Sequence, residues 1–375
     1  MRLRVAFALL WVPALAACFG SASVGPKPAE LETLDSAAEF RRLWREDVGG
    51  AEGAQLAPAL ADGKVFAAGN DGSVLAVAAA DGRELWRVGL DTRLSGGVGA
   101  DARTVAVATG QGEVLALEAR DGKTRWRVRV SSEVLAPPRV VAGLVVVRSA
   151  DSRIHALDLE DGKRRWAYQR TPTSLRLRTP QGMTALGGTL FAGFSGGRLV
   201  ALALDTGAVR WEASVAVPRG TTELERVTDV VGDPAAIGRE VCAAAFQGRV
   251  ACFDAQNGNL IWARDVSSAT GVSADARYAY VSDERGAVHA FDRTNGRSLW
   301  KQERLAYRQL SLPLPVGERV AVADFEGIVH LLARDSGAFV ARASTDGSAV
   351  RAPMLALPGG LLVQTRDGGL YALAP

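Results

Sequence analysis

Six tryptophans set the frame for everything else in this chain. Trp86, Trp126, Trp166, Trp211, Trp262 and Trp300 each stand four residues after a glycine: Gly82, Gly122, Gly162, Gly207, Gly258 and Gly296. Ten residues before each of those glycines is another turn residue: Gly72, Gly112, Ser152, Gly197, Gly248 and Gly286. A seventh copy keeps Gly327 and Gly337 but has Ala341 in place of the tryptophan, and an eighth begins at Gly368 and reaches only Pro375. Self-similarity at a fixed period of this size marks a repeat architecture, in which each unit buries its apolar faces only against its neighbours.

Each copy reads as β-structure. Pairs such as Asp71-Gly72, Gln111-Gly112 and Gln247-Gly248 suit tight turns, because glycine tolerates positive φ. Runs such as Val-Leu-Ala-Leu-Glu at 114–118 follow, then a second turn and a strand carrying the tryptophan. Apolar, β-branched segments at 65–68, 104–108, 144–147, 278–281, 320–323 and 361–364 precede the copies. With one further segment ahead of each, four strands occupy about 40 residues, the size of a propeller blade. Helical periodicity is absent. The expected fold is all-β, an eight-bladed β-propeller of four-stranded antiparallel blades spanning 37–375. The last blade lacks its outer strand, and residues near 39–48, which contain Trp44, are expected to supply it beside 369–374 and so close the ring. Closure removes the open edge that a linear stack would leave. Trp11 lies in the leader and the other seven tryptophans fall in blades. Each therefore serves a blade junction, where such a ring buries about 150–250 Å². The spacing resembles the repeats of pyrroloquinoline-quinone dehydrogenases.

The N-terminus has a different composition. Arg2 and Arg4 precede an apolar run from Val5 to Ala16, a charged n-region and a short h-region. That run is shorter than the roughly 20 residues a membrane-spanning helix needs. Its ending, Leu15-Ala16-Ala17-Cys18, resembles the lipobox of bacterial lipoproteins, which implies removal of 1–17, lipid on Cys18 and a tether over 18–36. Phe19 rather than Asp follows the cysteine, which by the enterobacterial sorting pattern points to the outer membrane. Without the leader, bases and acids are nearly balanced at 42 to 41, leaving no electrostatic footprint for nucleic acid. Cys242 and Cys252 flank the Gln247-Gly248 turn. In an oxidising compartment they fit a cross-strand disulfide, and two buried free thiols fit equally.

The repeat is constant, so specialisation must lie between one tryptophan and the next turn residue. Most of these gaps run 24 to 28 residues, but Trp166 to Gly197 spans 31 and Trp211 to Gly248 spans 37. They belong to consecutive blades, so their protruding parts are placed to lie side by side, and loops on a rigid scaffold commonly carry function. The first contains Leu175-Arg176-Leu177-Arg178 and the second runs through Thr221-Thr222-Glu223-Leu224-Glu225-Arg226-Val227-Thr228-Asp229. As a strand, the first would put Leu175 and Leu177 on one side and the arginines on the other. Two readings follow. The leucines pack beneath the loop while Arg178 makes a surface ion pair with Glu225 or Asp229, or the apolar anchors and their arginine form a protein-binding patch.

The lipoprotein signal, the eight-bladed repeat, the L-x-L-R loop and the T-E-[IL]-[DE]-R-x-x-D loop together resemble the BamB family of the outer-membrane β-barrel assembly machinery. The resemblance covers the whole mature chain. It implies a non-catalytic scaffold, lipid-anchored at the periplasmic face of the outer membrane. The scaffold binds the POTRA domains of a BamA-like protein and assists insertion of unfolded outer-membrane proteins. It assigns Leu175, Leu177 and Arg178 as contacts and Asp229 as the acid of the second loop. The chain departs from the pattern at Val231, where family members can carry another acid, and Asp233 is the nearest substitute.

The enzyme alternative, a quinoprotein-like oxidoreductase, calls for adjacent cysteines and calcium-binding acids. No Cys-Cys occurs here. His155, His289 and His330 occupy one repeat position in blades 3, 6 and 7, so they cannot converge on one metal. No catalytic set, metal or cofactor is therefore expected. A propeller binding glycan or peptide would carry aromatics in its connecting loops, whereas most here fall within blade strands.

Overall fold

The computed structural model describes residues 25–34, 40–171 and 173–374. Cys18 and the leader lie outside them. The described residues contain 32 strands in eight four-stranded antiparallel sheets and no α-helix. Seven sheets are consecutive meanders, blades 1 to 7, over residues 59–89, 94–129, 139–169, 183–214, 230–264, 273–302 and 314–344. The first strands of successive blades contact one another, which places them innermost. Blade 8 joins Leu355–Leu357, Gly360–Gln364 and Gly369–Ala374 to Arg41–Asp47, with Trp44 opposite Ala372. The expected propeller and its closure by the N-terminal strand are both borne out.

The structure explains the glycine–tryptophan spacing. Each indole packs not on its own blade's glycine but on the next blade's: Trp44 on Gly82, Trp86 on Gly122, and so on to Trp300 on Gly337. At Gly207 φ is +73°, and a Cβ would sit 2.5 Å from the Trp166 ring, so only glycine fits. Each indole N–H then donates to a carbonyl three residues before that glycine. Trp86 to Ala119 is 3.0 Å, Trp166 to Leu204 2.9 Å, and Trp211 to Ala255 3.0 Å. The latch satisfies a buried donor while burying a large ring. It also accounts for Ala341. Blade 8 takes its outer strand from the N-terminus and has no such turn for blade 7 to press upon. Ala341 packs instead with Leu331, Leu361 and Tyr371.

Within the tether expected over 18–36, Ala29, Leu31 and Glu32 contact the propeller. Ala29 N–H donates to the Ala306 carbonyl (2.8 Å), Arg308 donates back to Ala29 (3.0 Å), and Arg304 pairs with Glu32 (2.8 Å). Leu31 packs on the apolar cluster of blades 6 and 7.

Candidate functional site

The two long connections meet. The first joins the outer strand of blade 3, Arg164–Gln169, to the inner strand of blade 4, Met183–Leu186; the second joins Val209–Ser214 to Val230–Ile237. Isolated bridges tie Gln181 to Gly232 and Ser195 to Asp229. The strongest link is a hydrogen bond from Leu177 N–H to Asp229 Oδ2 at 2.6 Å. Asp229 is fully buried. Burial pushes its pKa up, opposed by that N–H and by the charges of Arg148 and Arg176. The resemblance implied a contact acid. The carboxylate is sealed inside and holds the L-x-L-R backbone, so it positions the loop.

The loop is bent rather than extended, so the strict alternation does not become a strand. Thr173 Oγ1 donates to the Leu175 carbonyl at 2.8 Å. Leu175 is 44% exposed and Leu177 half-buried. On the second connection Leu224 is 71% exposed. Glu225, expected as an ion-pair partner, turns inward to its own turn and accepts from Thr221 N–H (2.9 Å) and Thr222 N–H (3.0 Å). Those backbone donors pull its pKa to about 2. Arg178 pairs with neither Glu225 nor Asp229. It reaches Glu133 through Nε (3.3 Å) and Nη2 (2.7 Å), which raises its pKa. The pair is solvent-facing and contributes about 0–1 kcal/mol.

Val231 is buried, opposite Ala244 in blade 5. Asp233 is partly exposed, but its carboxylate is already bonded to Arg139, and Gly182 packs directly against it. Cys242 and Cys252 are cross-strand partners with Cα atoms 4.0 Å apart, joined by a disulfide. The three histidines stay in separate blades: His155 bonds Ser131 and Ser149, His289 bonds Asp283, and His330 bonds Asp324. Among the described residues no group of three or more His, Cys, Asp or Glu side chains is placed to hold a metal. Sequence reasoning missed Glu133, Arg139, Arg148 and Gln181. Their only signal is spatial, since each comes from a stretch with ordinary blade spacing or from the end of the long loop.

Comparison with known proteins shows the family and the fold. A family model described as outer membrane protein assembly factor BamB matches residues 70–302. The outer membrane protein assembly factor BamB of Bordetella pertussis is 44% identical over 370 residues, covering 98% of this chain and 96% of the relative. The crystal structure of BamB from Moraxella catarrhalis superposes with a TM-score of 0.83 at 28% identity, covering 90% of this chain and all of that one. Quinohemoprotein alcohol dehydrogenase from Comamonas testosteroni shares the fold alone, with a TM-score of 0.69 at 15% identity, covering 89% of this chain and 76% of that one. The chain belongs to the family of outer membrane protein assembly factor BamB.

Proposed function

We propose that this protein is a non-catalytic scaffold of outer-membrane protein assembly. In this reading it is lipid-anchored through Cys18 at the periplasmic face of the outer membrane and docks on the POTRA domains of a BamA-like protein. There it assists folding and insertion of unfolded outer-membrane proteins. The family membership supports the assembly role. The observation that carries the docking site is the buried Asp229–Leu177 bond, which fixes two loops from successive blades to each other and leaves Leu175 facing solvent. A fixed apolar anchor costs less entropy to dock than a mobile one. Leu175 and Leu177 supply apolar contact, Arg178 supplies directional polar contact at the rim, and Asp229 positions the loop. The disulfide between Cys242 and Cys252 is part of the same reading, since the periplasm is oxidising.

Co-purification from membranes tests it. Leu175→Ala/Arg178→Ala should lose the BamA-like protein while remaining folded and lipidated. Loss of an anchor of about 2 kcal/mol lowers affinity roughly 30-fold. Undiminished co-purification would return these residues to loop packing.

A further inference from the structure

Beneath the L-x-L-R loop lies a cavity of about 160 Å³ whose chemistry apolar docking does not use. Its lining includes Arg148, Thr179, Gln181 and Leu177, with Arg176, Arg178 and Glu133 also on it. Arg148 is 5% exposed, yet its hydrogen bonds go to a carbonyl and an amide rather than to a carboxylate. It donates to the Gly193 carbonyl and to Gln181 Oε1, and its guanidinium carbon stands 4.1 Å from the centre of the Phe194 ring. Burial pushes its pKa down to about 9, with Asp229 compensating from a distance and Arg176 adding repulsion. A buried cation without a bonded counter-ion is expensive to keep.

The neighbouring polar atoms have the same bias. Arginine can only donate, so Gln181 must present its oxygen to Arg148. The amide nitrogen, Nε2, is left buried with no partner. Thr179 Oγ1 is buried and unpartnered as well. Glu133 is the one acid on the lining, and Arg178 engages it. Arg148, Gln181 and Thr179 thus all belong to the lining, and the one acid there is already engaged.

We propose that this cavity receives one carboxylate side chain from the protein that docks on Leu175, pairing it with Arg148. The inference rests on the docking reading above. Arg176, Leu177 and Arg178 of the docking loop line the cavity, so a protein seated on the loop is placed to cover it. The volume suits a single acidic side chain, and the pairing gives a buried charge that has no carboxylate bonded to it a charge-assisted bond.

The test is the affinity of the full-length lipoprotein for the full BamA-like protein in detergent. Arg148→Gln, checked for folding by thermal melting, should raise Kd by at least about 30-fold, as loss of one member of a buried charge pair does. Arg148→Lys, which keeps the charge and guards against a folding defect, should recover part of that loss. One Glu→Gln or Asp→Asn substitution in the partner should weaken binding similarly and add nothing further in the Arg148→Gln background. Affinity of Arg148→Gln within about twofold of wild type while Leu175→Ala still weakens binding would overturn this inference alone. Loss with no coupled acid in the partner would overturn it too, as would calorimetric uptake of acetate or phosphate by the free chain that depends on Arg148. If Leu175→Ala binds normally, the docking reading itself has failed and this inference falls with it.

Discussion

The blade junctions and the loops of blades 3 to 5 are built from the same chain to opposite standards of completeness. At a junction such as blade 3 to blade 4, the Trp166 ring fills the space over Gly207 and its N–H is paired. Around the loops, Arg139, Thr179, Gln181, Thr228 and Asp229 each leave a buried side-chain atom without a partner. That is five of the nine such atoms found among the described residues, so unsatisfied capacity concentrates where the repeat is interrupted. Buried polar groups normally find partners, and each that does not calls for a physical reason. The contrast separates a frame completed by its own residues from a site that the proposed docking would complete.

The largest expected effect tests the frame. Trp166→Ala removes a junction ring and should cost about 3–5 kcal/mol, read by denaturant unfolding. Leu175→Ala, an exposed loop position, should stay within about 0.5 kcal/mol of wild type. Comparable losses from the two would erase the distinction. Next is the bond between Cys242 and Cys252, which closes a short loop between paired strands. Replacing both with alanine should cost about 2–3 kcal/mol, or less if the paired strands already restrain the unfolded chain.

A smaller effect separates frame histidines from a metal or catalytic role. Burial lowers the pKa of His330 below its ordinary 6.5, and its ring nitrogens face Asp324 and Arg342. The unfolded chain therefore takes up a proton before the folded one does. The stability this group contributes is complete above its unfolded pKa and falls as pH drops through about 6.5. His330→Gln should flatten the decline in melting temperature between about pH 7 and pH 5. An unchanged slope would show that His330 does not titrate this way. The smallest effect is that of Arg178→Ala, at most about 1 kcal/mol in stability, even though docking should suffer. A large stability loss would move Arg178 from the site into the frame.

Much of the frame was legible in the sequence because its determinants are local and periodic. Glycine, turn and tryptophan recur at fixed spacing, and even the missing eighth tryptophan strand pointed to residues 39–48. The meeting of the two long connections was legible too, because an insertion shows as a change in spacing. Its wiring was not. Asp229 looks like a surface acid until strand geometry buries it. Arg178 could not be matched to Glu133, 45 residues earlier in an ordinary blade connection. Nor does composition distinguish Arg148 from the many surface arginines. These are choices among distant partners, which only the closed ring brings within reach.

The central claim, that the interrupted blades carry the docking site, is tested most directly by comparing two exposed leucines on the ring. Leu43, 47% exposed on the outer strand of blade 8, lies across the ring from blade 4. In Kd measurements with the full BamA-like protein, Leu175→Ala should weaken binding at least about 30-fold and Leu43→Ala should leave it unchanged. Equal affinities for the two variants, or a loss confined to Leu43→Ala, would contradict the account.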